Sequence, residues 1–134
     1  MPHVMLDSDI CIYAMRGRPA SVARRLSRTD PGEIFVSCIA VAELWTGVAK
    51  STSRERSQAR LMRFLSGVQI LDWPSAAVIP YGAVRAYLEL RGSRIGELDL
   101  LIAVHALHED LPLVTNNAKE FRRVPGLKVE SWTR

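Results

Sequence analysis

Short apolar runs alternate with stretches of helical periodicity along the whole chain, and this restricts the fold more than any other feature of the sequence. Residues 3–6, 34–36, 68–71 and 113–115 each read as a short strand suited to burial on both faces. Between them lie helical patterns over residues 10–15, 20–28, 53–65 and 76–91, a helix that Ser37 caps and that closes near Gly47, and a strongly apolar helix with Asp99 near its start. A short helix over residues 119–121 and a last strand around Val129 complete the order. Strand-then-helix alternation predicts right-handed crossovers and an α/β/α sandwich around a central, mostly parallel sheet of four or five strands.

Such a fold gathers its strand-to-helix hand-over points at one sheet edge. Asp7, Glu43, Asp99, and Asn117 with Glu120 all sit at or near hand-over points, so residues far apart in sequence are expected to meet in one acidic pocket. Taken singly, each has an ordinary explanation: Asp7 and Asp99 as helix caps, Asn117 in a turn, Glu120 solvated. Glu43 resists this, because Ile39, Val41, Ala42 and Leu44 surround it and a buried carboxylate without a partner is costly. Asp99, between Leu98 and Leu100, makes the same demand. Carboxylates crowded together repel, and a divalent cation reverses that penalty. Oxygen donors without paired Cys or His favour Mg2+, with Mn2+ plausible, over zinc.

The 134 residues are 48% apolar with no break in composition, which suits one domain over residues 1–134. No apolar run is long enough for a membrane span and the first residues lack a signal-peptide pattern, so a cytoplasmic protein is expected. Cys11 and Cys38 form no metal or redox motif and are expected to pack as small hydrophobes, while His105 is assigned a structural place in its helix. The net charge of +4 includes two arginine groups, Arg24, Arg25 and Arg28, and Arg54, Arg56, Arg60 and Arg63. They suit phosphate contacts or an exposed helix face equally, and neither they nor Lys50 can be ranked from sequence.

The segments MLDSDICIYAM, VAELWTGVAKS, IGELDLLIAVHAL and LVTNNAKEFRRVPGLKVESW resemble, in order and spacing, those of PIN-domain ribonucleases, and specifically the VapC toxins of bacterial toxin–antitoxin pairs. The resemblance spans nearly the whole chain. It implies a metal-dependent endoribonuclease whose acidic set is Asp7, Glu43 and Asp99, with Asn117 where many such proteins carry a fourth acid and Glu120 supplementing it. Hydrolysis by water would leave a 5′ phosphate and a 3′ hydroxyl, with transfer RNA the foremost substrate. A VapB-like antitoxin, a homodimer and larger toxin–antitoxin assemblies are also implied. Ser8 stands for the usual Thr, Asp9 for the usual Asn, and Ala40 for a frequent Thr, so Asp9 either hydrogen-bonds the core acids or caps the helix.

Two rival readings stand beside this one. Asp7-Ser8-Asp9 imitates the nucleophile element of haloacid-dehalogenase-like phosphatases, but no paired acids follow the strand over residues 113–115, and Glu43 and Asp99 would have no role. A non-catalytic module for partner and nucleic-acid binding would use Ile12, Tyr13, Trp45 and Val48 as a groove for a partner segment, against the simpler role of those residues in packing.

Overall fold

The computed structural model describes residues 3–133. Among these residues five strands, β1 (Val4–Leu6), β2 (Ile34–Ser37), β3 (Gln69–Leu71), β4 (Leu113–Val114) and β5 (Val129–Glu130), form one sheet in the order β3-β2-β1-β4-β5. Every pairing is parallel, with Leu6 opposite Val36 on one side and Val114 on the other. All three residues of β1, the central strand, are buried, whereas Gln69 and Ile70 of the edge strand β3 are exposed. A continuous apolar run therefore marks the middle of the sheet and a mixed one its rim.

Among the described residues, seven α-helices connect and flank the strands: α1 (Ser8–Arg16), α2 (Ala20–Ser27), α3 (Cys38–Lys50), α4 (Arg54–Leu65), α5 (Val78–Leu90), α6 (Glu97–His108) and α7 (Ala118–Phe121). None is long and apolar enough to cross a membrane. Helix α6 is apolar nearly all round and buries Leu100, Ile102, Ala103, Val104, His105 and Ala106, as a helix without a polar face must. The elements match the sequence reading except that residues 31–33 form a 3-10 turn, that the helix Asp99 opens follows α5 and not a strand, and that two helix boundaries differ. Helix α3 runs through Gly47 to Lys50, because Leu44 and Val48 pack into the core and outweigh the roughly 1 kcal/mol that glycine costs in a helix interior. The predicted helix over residues 76–91 begins as a 3-10 turn, Ser75–Ala77, before α5.

From β1 the chain steps outward to β2 and β3, then returns to the opposite side of β1 for β4 and β5. The direction of the crossovers thus reverses between β1 and β4, and the carboxyl ends of those two strands border the crevice where parallel sheets bind ligands. Asp7 follows β1 directly, and its backbone N–H donates to the Val114 carbonyl at 3.1 Å.

On the neighbouring strand, Ser37 closes β2 and caps α3 by accepting from the Ile39 N–H at 3.2 Å. Its hydroxyl also meets His105 Nδ1 at 2.8 Å in the core. Burial lowers the pKa of His105, which keeps the ring neutral and suits the structural role expected for it. Ser37→Ala removes both interactions and is expected to cost about 1–3 kcal/mol, read as a lower urea midpoint with unchanged slope. An unchanged midpoint would show that neither bond contributes.

Candidate active site

Asp7 is buried and caps α1, with Oδ1 accepting from the Ile10 N–H at 2.9 Å. Burial raises its pKa to about 7, against the opposing pull of the Thr115 hydroxyl and the Ile10 amide, and the charges of Asp9 and Asp99 add to the rise. Thr115 follows β4, is fully buried, and accepts the Asn117 N–H at 2.9 Å, so its own proton is available to Asp7. Nothing in the sequence distinguished this threonine from a strand residue; its position immediately after β4, beside the crossover reversal, is the signal that locates it.

Asp99 lies in the first turn of α6, where the helix dipole favours an acid. Desolvation raises its pKa to about 6, with further contributions from the charges of Glu43, Glu120 and Asp9. Glu43 projects from the middle of α3, and burial raises its pKa also, opposed by a hydrogen bond from Ser8 and supported by the charge of Asp9. One Glu43 oxygen is buried with no hydrogen-bond partner. Asp7, Glu43 and Asp99 therefore lie within one electrostatic neighbourhood, to which the exposed Asp9 also belongs. Ser8 keeps the hydroxyl function expected of that position.

The two residues after β4 are coupled to each other. Asn117 Nδ2 donates to Glu120 Oε2 at 2.7 Å, while the Glu120 charge reaches Asp99. The amide thus holds the acid that faces the centre.

Among the described residues, no three His, Cys, Asp or Glu side chains stand close enough to enclose an ion by themselves. Mg2+ characteristically keeps several waters and takes only one or two carboxylates directly, so an open acidic crevice suits it better than a closed cage does. The unpartnered Glu43 oxygen, the mutual repulsion and the all-oxygen donor set fit a hard dication. Beside the acids, a cavity of about 380 Å³ opens between α1, α3 and α4, with Asp9 and Glu43 on one wall and Ile12, Met15, Leu44, Val48 and Leu61 supplying apolar surface. Of the groove expected from sequence, Ile12 and Val48 line this cavity, Tyr13 lines a neighbouring one and accepts from Asn116 Nδ2 at 2.9 Å, and Trp45 packs against the core.

The PIN domain family profile matches residues 4–127. The chain is 44% identical over 129 residues to ribonuclease VapC2 of Rickettsia felis, covering 96% of each protein. The chain belongs to the PIN-domain family, in its VapC branch. A tRNA(fMet)-specific endonuclease VapC from Shigella flexneri is 40% identical over 96% of this chain and 97% of that protein. Among solved structures, DNA-bound VapBC from Salmonella typhimurium superposes with a TM-score of 0.91 at 36% identity, covering 98% of this chain and 99% of that one. VapBC2 from Rickettsia felis bound to a promoter fragment gives 0.88 at 41% identity, covering 96% and 98%. PIN-family membership displaces the phosphatase reading of Asp7-Ser8-Asp9.

Proposed function

We propose that this chain is a VapC-type endoribonuclease toxin that hydrolyses phosphodiester bonds in transfer RNA and is neutralised by a VapB-like antitoxin. The reading is supported by the place of Asp7 at the reversal of the sheet, by the Asp99 charge that reaches it, and by the Glu43 charge that reaches Asp99. The ribonuclease and tRNA(fMet) endonuclease names of its relatives supply the substrate class.

Asp7, Asp99 and Glu43 would hold Mg2+ or Mn2+, directly or through water. When bound, such a cation lowers the pKa of a coordinated water and offsets charge building on the phosphate oxygens. The remaining work belongs to the chain's own groups. The Ile10 amide and Thr115 hydroxyl fix the Asp7 carboxylate, Ser8 orients Glu43, and Asn117 holds Glu120 toward Asp99. The reading requires no catalytic histidine, and His105 is fully buried.

The apolar wall of the 380 Å³ cavity supports docking of an antitoxin segment next to the acids. Ile79, Tyr87 and Leu90 make an exposed apolar stripe on α5 that supports a homodimer.

The purified protein is expected to cleave initiator tRNA in Mg2+, yielding 5′-phosphate ends, and to stop on addition of EDTA. Asp99→Asn should lower the rate by about a hundredfold or more, as loss of one charge-stabilising group commonly does. RNA binding without any metal-dependent product would favour the non-catalytic module, and 2′,3′-cyclic phosphate ends would exclude attack by water.

A further inference from the structure

We propose that Arg16, Arg18 and Arg60 form a phosphate track that holds the RNA backbone beside the acidic centre. The substrate rests on the nuclease reading; the surface itself does not. Helix α1 ends at Gly17, whose φ of +72° turns the chain so that Arg16 and Arg18 flank the bend. Arg60 arrives from α4, which packs against α1. All three exposed arginines, with Met15, line one open surface hollow of about 410 Å³. Arg16 and Arg60 also line the 380 Å³ cavity that holds Asp9 and Glu43. One path therefore leads from the carboxylates to the arginines.

Among the described residues, none of the three arginines takes part in an ion pair, whereas Arg25 reaches Glu130 and Arg85 reaches both Glu89 and Glu97. Like charges gathered without ion-pair partners gain most from an anion that bridges them. Arginine is the residue whose planar fork matches phosphate oxygens. A polynucleotide whose reacting phosphate lies at the acids carries its next phosphates along the same path, toward compensating charge. An acidic peptide meets the same repulsion from Asp9 and Glu43 but carries no phosphodiester for the acidic centre to act on, so it has no reason to span both ends.

The test measures binding of fluorescein-labelled initiator tRNA in EDTA, across a series of salt concentrations, for the intact protein, each Arg→Gln variant, the triple variant and the triple Arg→Lys variant. Each neutralised contact should reduce the slope of log K against log salt by about 0.7, and affinity at 0.1 M salt roughly fivefold, reaching about a hundredfold in the triple Gln variant. The Lys triple should keep most of the slope, which separates charge from misfolding. Arg91→Gln, at the end of α5 where the guanidinium stacks over Tyr87, should leave the slope unchanged. An unchanged slope in the triple Gln variant overturns the track, as does a variant that loses only antitoxin binding. Because the measurement is metal-free, it stands apart from catalysis. A normal slope change with no Mg2+-dependent cleavage would sink the nuclease reading alone, and unaltered binding with normal cleavage would sink the track alone.

Discussion

Asp7→Asn is expected to make the metal-free protein more stable at pH 8, by about 2 kcal/mol or more, and to lower RNA cleavage at least about a hundredfold. The side chain that destabilises the metal-free fold is one of those proposed to hold the cation. Asp7 is held near pKa 7 by burial, against an ordinary value of 3.8, so the folded protein retains this proton more tightly than the unfolded chain does. Below about pH 4 the group is protonated in both states and imposes no penalty. Between pH 4 and pH 7 the unfolded chain gains by ionising while the folded one does not, and stability falls; above pH 7 the penalty is complete. Asparagine never ionises, and it caps a helix as well as aspartate, so the Ile10 N–H keeps its acceptor. The thermal midpoint in EDTA should rise by roughly 5–10 °C at pH 8, for a domain of this size, and the gain should vanish toward pH 4. A midpoint that is lower at pH 8, or a difference that does not shrink with acid, would show that Asp7 is not strained by its burial.

The same strain explains which parts of the site were legible in the sequence. Asp7, Glu43 and Asp99 stood out because each interrupts an apolar stretch, and the structure places each where desolvation raises its pKa. The parallel alternation of strands and helices was also readable, as were β1, α6 and the edge position of β3 from burial patterns, but it positions only Asp7 directly, since Glu43 lies mid-way along α3 and Asp99 opens a helix that follows α5. The supporting groups were not legible. Thr115 looks like any β-branched strand residue, and the bond between Asn117 and Glu120 depends on the local turn of α7. The arginines divided in a way that their grouping in sequence concealed. Arg25, from the first group, pairs with Glu130 and stacks over Trp132 at 5.1 Å, holding the end of the chain against α2. Arg16 and Arg18, in neither group, meet Arg60 only through the packing of α1 on α4. Gly47 taught the same lesson about packing, since a local stop signal was overridden by Leu44 and Val48.

Proton and cation should compete for the same oxygens, so stabilisation by Mg2+ or Mn2+ is expected to be large at pH 8 and nearly absent at pH 5. Asp7 titrates at about 7 and Asp99 at about 6, and both must lose their protons before the site can present its charge. Between pH 6 and 7 one proton, chiefly from Asp7, must leave, and apparent affinity should fall about tenfold for each pH unit of acidification. Below pH 6 a second proton, from Asp99, joins it, and the fall should steepen toward about a hundredfold per unit. The sign is opposite to that of the empty protein, whose stability rises as the acids are protonated. Calorimetric titration of the metal in two buffers of different ionisation enthalpy would count the protons released. Asp7→Asn should reduce that count by roughly three quarters of a proton near pH 6.5 and leave the Asp99 step in place. Metal affinity that does not vary with pH, or a proton count untouched by Asp7→Asn, would place the cation away from these carboxylates and leave their raised pKa values as a purely structural cost.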